Sequence, residues 1–207
     1  MRSILFVLLS GLASFSFADQ HPLQQLEALK ADPAAQEAAY VAGHERISLC
    51  KHCHGEDGNS KRNYIPNLAE QNPIYLFNAF EKFANGERTD FVMSKLAGAL
   101  SQEDRVNIAL YYGQQKVVTK PSDTPQLRAA GEAIFQRVCQ SCHGAQGQGQ
   151  QDMPRLAGQP AEYVTRTLKI FRSQDPSRAA SVMLAITANM SDDEMLAVAS
   201  YIQELEP

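Results

Sequence analysis

The residues best placed to do chemistry lie in two short runs, CKHCHGEDG (Cys50 to Gly58) and CQSCHGAQG (Cys139 to Gly147). Each is a Cys-x-x-Cys pair followed directly by histidine, and together they hold all four cysteines of the chain. Four chemistries use such a pair: zinc binding, a disulfide, a redox-active dithiol, or covalent haem attachment. Zinc needs four ligands converging on one site, and here the two pairs are far apart, with two thiols in each neighbourhood. A thioredoxin-like dithiol needs a βαβ setting, and disulfides across two residues leave the repeated histidine without a purpose. Cys-x-x-Cys-His is the attachment sequence of c-type haem, in which each thiol adds to a vinyl group and the histidine ligates iron. Cys50, Cys53, Cys139 and Cys142 are therefore expected to hold two covalent haem c groups, with His54 and His143 as proximal ligands.

The sixth ligands follow by elimination. Downstream of its motif the first half has one methionine, Met93, and no histidine in a comparable place. The residue aligned with it is Met183. A thioether is a soft, neutral ligand that favours ferrous iron and raises the potential relative to a second histidine. Met153, Met190 and Met195 compete on paper; Met190 aligns with Leu100 and Met195 sits in an apolar helical stripe, so both read as core. A ligating histidine usually donates its other N–H to a carbonyl; Pro66 and Pro154 are the candidate acceptors, beside ordinary turn chemistry. Arg88 and Arg178, each five residues before its methionine, either pair with haem propionates or stay solvated. His21, His44 and His52 read as incidental, and Tyr111 and Tyr201 as packing residues.

These residues sit in a tandem repeat with a period of about ninety residues, the size of one small domain. IPNLAEQ (65–71) matches MPRLAGQ (153–159), and MSKLAGALSQED (93–104) matches MLAITANMSDDE (183–194). The 207-residue chain divides into an export signal at 1–18, a first domain at 19–116, a linker at 117–126 and a second domain at 127–207. The signal has Arg2, a short apolar run and small residues before Asp19, which implies a periplasmic protein. The fold class is all-α. Ser101 and Ser191 read as helix caps with an acid three residues on. Helices are expected from Asn72-Pro73 to Gly86 (stripe Leu76, Phe80, Phe83) and from Gln159-Pro160 (Val164, Leu168, Phe171). Leading helices are expected at 43–49 and 131–138, and the final helix is expected to bury Leu196, Ala199 and Ile202. A formal charge of −4 without a basic block excludes nucleic acid as a partner.

The two CxxCHG motifs, the PNLAEQ and PRLAGQ stretches, and the methionines before Ser-led helices resemble the dihaem cytochrome c4 family from about Val41 to Glu206. The resemblance implies two class I cytochrome c domains related by pseudo-twofold symmetry, with haems facing each other across the interface. His54 and Met93 would ligate one iron, His143 and Met183 the other. It further implies an electron carrier rather than an enzyme, taking electrons from a respiratory donor such as the cytochrome bc1 complex toward a terminal oxidase. A second reading is the cytochrome subunit of a periplasmic flavin-dependent dehydrogenase, for example a sulfide-oxidising one. A dihaem peroxidase would need an open iron, against which two methionines in register argue. Redox proteins are the expected partners, with no small-molecule substrate; the N-terminal segment is compatible with peripheral membrane contact. Three features depart from the family pattern: Glu70 in a tight turn, the length of segment 19–40, and FRSQDPSR where the first repeat has FANGER.

Overall fold

The computed structural model describes residues 22–150, 152–179 and 181–207; the export signal read at 1–18, and His21, lie outside the described residues. Among the described residues the chain is helical, with one isolated bridge between Gln150 and Met153 and no strand. Apart from α1, both repeats build the same series. In the first, α1 (Pro22–Ala31) and α2 (Pro33–Arg46) lead to α3 (Lys51–His54), α4 (Pro73–Asn85), α5 (Met93–Ala99) and α6 (Gln102–Gly113). In the second, α7 (Arg128–Ile134) leads to α8 (Gln140–His143), α9 (Ala161–Arg172), α10 (Met183–Thr187) and α11 (Asp192–Glu204).

Local sequence accounts for most helix ends. The Ser101 and Ser191 hydroxyls accept from the backbone N–H groups of Asp104 and Glu194, whose carboxylates accept from the serine N–H groups in return. These reciprocal bonds satisfy donors that a bare helix start leaves unpaired. Asn72 caps α4, Pro73 supplies a first position that needs no N–H, and Gly86 closes the helix in the left-handed region. The expected α4 stripe is buried at Leu76, Phe80 and Phe83, with Phe77 added. In α9 only Val164 is fully buried, while Leu168 and Phe171 are half-buried.

Three expectations need correction. The first leading helix runs Pro33–Arg46 rather than 43–49, because the Asp32 carboxylate accepts from Ala34 N–H (3.0 Å) and Ala35 N–H (3.3 Å) and Pro33 starts the turn. The second is an α-helix only over Arg128–Ile134; Phe135–Cys139 widens into a π-turn immediately before the cysteines. Leu196 is exposed, and the buried face of α11 is instead Met195, Val198, Ala199 and Ile202. The long N-terminal segment also has a use: α1 buries Leu26 and Leu29 against the first core and packs on α2, α4 and α6.

Each repeat has its own apolar core, one around Phe80, Ile108 and Tyr112 and the other around Phe135, Val198 and Ile202. In both, the leading helix crosses the last helix at a glycine. A Cβ on Gly43 would run into the Asn107 carbonyl, and one on Gly131 into that of Ala197. Tyr111 and Tyr201 frame these crossings. The Tyr111 ring packs on Tyr40 at 4.9 Å and its hydroxyl donates to the Glu56 carbonyl, while Tyr201 meets Phe135 at 5.4 Å. The linker is bonded to both halves. Val118 N–H donates to the Asn59 side chain, Ser122 N–H to Glu204, and the Gln203 amide to the Pro121 carbonyl.

Gly43→Ala and Gly131→Ala should each force a leading helix off its partner and cost about 1–3 kcal/mol, the usual range for overpacking. Thermal unfolding of the holoprotein checks this; an unchanged midpoint would mean that the crossing tolerates a methyl group.

Candidate haem sites

One helical turn brings each reactive set together. Cys53 and His54 stand three and four residues after Cys50 on α3 and its cap, so all three share one face. Cys139, Cys142 and His143 repeat this on α8. Both histidines are buried, and the ring Nδ1 lies 3.0 Å from the Pro66 carbonyl oxygen for His54 and 2.9 Å from the Pro154 oxygen for His143. A carbonyl can only accept, so Nδ1 carries the proton and Nε2 keeps its lone pair. Burial pulls both imidazoles below the ordinary histidine pKa, against the smaller opposing effect of the carbonyl bond. Each is thus a neutral imidazole with its basic nitrogen ready for a metal.

The proline carbonyl reaches the ring because the following residues are tied to the histidine's own loop. Leu68 N–H and Ala69 N–H both donate to the Gly58 carbonyl, and Leu156 N–H and Ala157 N–H both donate to the Gly147 carbonyl. The four thiols are free. Burial raises the pKa of Cys50 and pushes that of Cys139 up to about 11, which does not suit a reactive dithiol. Among the described residues no three His, Cys, Asp or Glu side chains converge as a metal cluster.

Met93 and Met183 each open a short helix, α5 and α10, and both are half-buried. The Asp90 carboxylate fixes the start of α5, accepting from Val92 N–H and Met93 N–H at 2.9 Å each. Of the competing methionines, Met195 is fully buried in α11 and Met190 packs on the second core. Large apolar side chains stand exposed beside the predicted ligands: Phe91 (82%) and Val92 before Met93, and Val182 (72%) before Met183. His52 and His44 are exposed, as expected, with His44 against Glu56.

The structure brings the two arginines together. Arg88 stacks on Phe83 and Arg178 on Phe171, at 4.4 and 5.5 Å from the ring centroids. Burial and then the nearby Arg88 push the Arg178 guanidinium below its usual range, and Tyr75 and Tyr163 lie beside Arg88. The Arg88 Nε is buried without a hydrogen-bond partner.

Comparison with known proteins places these features. The Cytochrome c family model matches residues 128–206. Cytochrome c4 of Pseudomonas aeruginosa is 36% identical over 184 residues, covering 83% of this chain and 90% of that protein. The chain belongs to the cytochrome c4 family. The crystal structure of reduced recombinant cytochrome c4 from Pseudomonas stutzeri superposes with a TM-score of 0.74 at 30% identity, over 80% of this chain and 97% of that one. A thiosulfate dehydrogenase electron acceptor of Thiomonas intermedia is 33% identical over 193 residues, 84% of this chain and 87% of that protein. As a cytochrome c4 the chain is a dihaem electron carrier with covalently bound haem c, not an enzyme, and its fold is two cytochrome c domains.

The residues present fit that cofactor. Two neutral histidines expose a basic nitrogen, thiols flank each, and a pair of cations with an unpaired buried Nε provides for propionate carboxylates. Sequence reasoning missed the residues joining the domains. Gln71, Gln159, Asn67 and Arg155 are all buried. The Arg155 guanidinium donates to the Ala157 carbonyl and, across the interface, to those of Asn67 and Ala69. The available signal was the P-x-L-A-x-Q repeat itself, which places glutamine at the same position twice.

Glu70 shows why its turn departs from the family pattern. It adopts φ +55°, the conformation that its counterpart Gly158 takes at φ +69°. Its carboxylate accepts from Lys116 Nζ at 2.8 Å and Val117 N–H at 3.2 Å, fastening the linker beside the turn. Burial, the largest influence, would raise its pKa, but these donors together outweigh it and hold the carboxyl below the ordinary range. A depressed carboxylate contributes stability above its unfolded pKa of about 4.3 and loses it as pH falls through the lower folded value. The stability gap between wild type and Glu70→Gln should therefore be present at about pH 6 and close by about pH 3; a gap independent of pH in urea titrations would contradict this.

Proposed function

We propose that this cytochrome c4 is exported to the periplasm and carries single electrons from a respiratory donor, such as the cytochrome bc1 complex, toward a terminal oxidase. The observation that carries the reading is the pair of buried histidines with protonated Nδ1 on a proline carbonyl, each beside two thiols. Export rests on the sequence of residues 1–18. In this reading Cys50 and Cys53 bind one haem as thioethers and Cys139 and Cys142 the other. Bound haem supplies a one-electron ferric/ferrous couple. His54 and Met93 would ligate the iron of the first haem, and His143 and Met183 that of the second. With all four ligands supplied by the protein, no metal position would be left for oxygen or peroxide, and the protein's task would be to hold the haems, exclude water and set the potentials. Arg88 and Arg178 neutralise propionates where the domains meet.

A second reading concerns the donor. The similarity to a thiosulfate dehydrogenase electron acceptor supports delivery of electrons directly from a periplasmic dehydrogenase. Stopped-flow reduction by each class of donor separates the two routes, since the physiological donor should reduce the protein within its own turnover time. Stable co-purification with a dehydrogenase would favour the second.

Met93→Ala and Met183→Ala should each lower one of the two potentials, on the order of 100 mV or more, while leaving the other in place and both haems covalently attached. Spectroelectrochemistry and a haem stain of the denatured protein check this. A variant that kept both original potentials would remove that methionine from the ligand set.

A further inference from the structure

Two glutamines cross the domain boundary in a reciprocal pattern. Gln159 Oε1 accepts from Asn67 N–H at 2.9 Å and its Nε2 donates to the Asn67 carbonyl at 2.8 Å. Gln71 Oε1 accepts from Arg155 N–H at 2.7 Å and its Nε2 donates to the Arg155 carbonyl at 3.0 Å. All four residues are buried, Arg155 and Asn67 almost completely. The N–H of Asn67 belongs to the same peptide group as the Pro66 carbonyl, and that of Arg155 to the same group as the Pro154 carbonyl. Those are the carbonyls that accept the Nδ1 protons of His54 and His143.

We propose that Gln159 tunes the haem iron of the first domain and Gln71 that of the second, each acting across the interface through one peptide group on the other domain's histidine. The proposal rests on the reading of His54 and His143 as iron ligands. The chain of contacts is short: glutamine oxygen, amide N–H, proline carbonyl, imidazole Nδ1–H. Donating a bond from the N–H of a peptide raises the negative charge on its oxygen, so consecutive bonds strengthen one another in a water-free setting. A stronger acceptor draws the Nδ1 proton outward and makes the imidazole a better electron donor. A more donating imidazole favours ferric iron. Each glutamine therefore lowers the potential of the opposite haem, and both are positioning residues that act through histidine.

The arrangement also links the potentials to docking of the two domains. Neither glutamine can reach its target peptide unless the halves are seated, so each haem takes its final potential only in the assembled pair. Asn67 adds one bond within its own domain and one across the interface, its side chain accepting from Ser60 N–H at 2.7 Å and donating to the Gly158 carbonyl at 2.8 Å. Arg155 instead braces its segment with its guanidinium, so the two sides reach similar geometry by different means.

The test uses the holoprotein and the variants Gln159→Leu and Gln71→Leu, with Gln159→Asn as a milder change should the first fail to assemble. The two couples are assigned beforehand with Met93→Ala and Met183→Ala; failure to assign them would sink the ligand reading, separately from the glutamine proposal. Gln159→Leu should raise the potential of the first-domain haem, changing its reduced-to-oxidised ratio at fixed solution potential about two- to fivefold, with the second haem unmoved. Gln71→Leu should do the same to the second haem alone, and Gln159→Asn should shift the first haem in the same direction by less. In NMR of the reduced state, the Nδ1–H resonance of the opposite domain's histidine should move upfield, reporting a longer bond. Shifts confined to the variant's own domain, equal shifts of both haems, or none at all would each overturn the proposal.

Discussion

Everything in this chain is arranged around one hydrogen bond made twice: histidine Nδ1–H to a proline carbonyl. That bond fixes which imidazole nitrogen is basic and which way the ring faces, and the surrounding structure serves to hold its two ends in place. One end is a single helical turn that gathers two thiols and the imidazole on one face. The other end is the P-x-L-A turn, tied to the carbonyl of Gly58 or Gly147 in the histidine's own loop. Neither end could be held by so small a domain without the crossed helices behind it, where Gly43 and Gly131 let two backbones touch.

The chain holds two copies of this unit, and two of the differences between them, at Glu70 and Arg155, lie beside the linker and the domain boundary. Glu70 replaces a left-handed glycine and turns a strained position into an anchor for the linker. Arg155 stands where the first repeat has Asn67, and its buried guanidinium, lowered by desolvation to a pKa of about 10, is made tolerable by carbonyls from both domains. A buried cation of this kind costs free energy unless every donor is used, and Arg155 Nε remains unpaired. The guanidinium meets carbonyls of both domains in the seated arrangement.

The chemistry was legible in the sequence because it depends on local spacing. Cysteine and histidine at i, i+3 and i+4 fall on one helical face wherever a turn forms, and the Ser-led capping boxes of α6 and α11 are equally local. The proline carbonyls were named from the repeat, although turn chemistry alone explained them as well. Tertiary features were less legible. In ADPAAQEAAY the Asp32-Pro33 cap is itself a local start signal, but the alanine-rich stretch after it carries no apolar stripe that would mark fourteen residues as a packed helix. Leu196 satisfies the apolar period of α11, yet it stands exposed while the neighbouring Met195 is fully buried. The interface glutamines were invisible because glutamine is ordinarily a surface residue, and only a second domain makes its two polar atoms worth burying.

The central claim is that both irons are closed by protein ligands, so that the molecule relays electrons and does nothing else with them. The most direct measurement is the visible spectrum of the fully reduced holoprotein before and after addition of carbon monoxide. Two closed irons predict an unchanged spectrum. A shift of about half the haem absorbance, the share of one site in two, would reveal an open iron and contradict the assignment of a methionine in that domain.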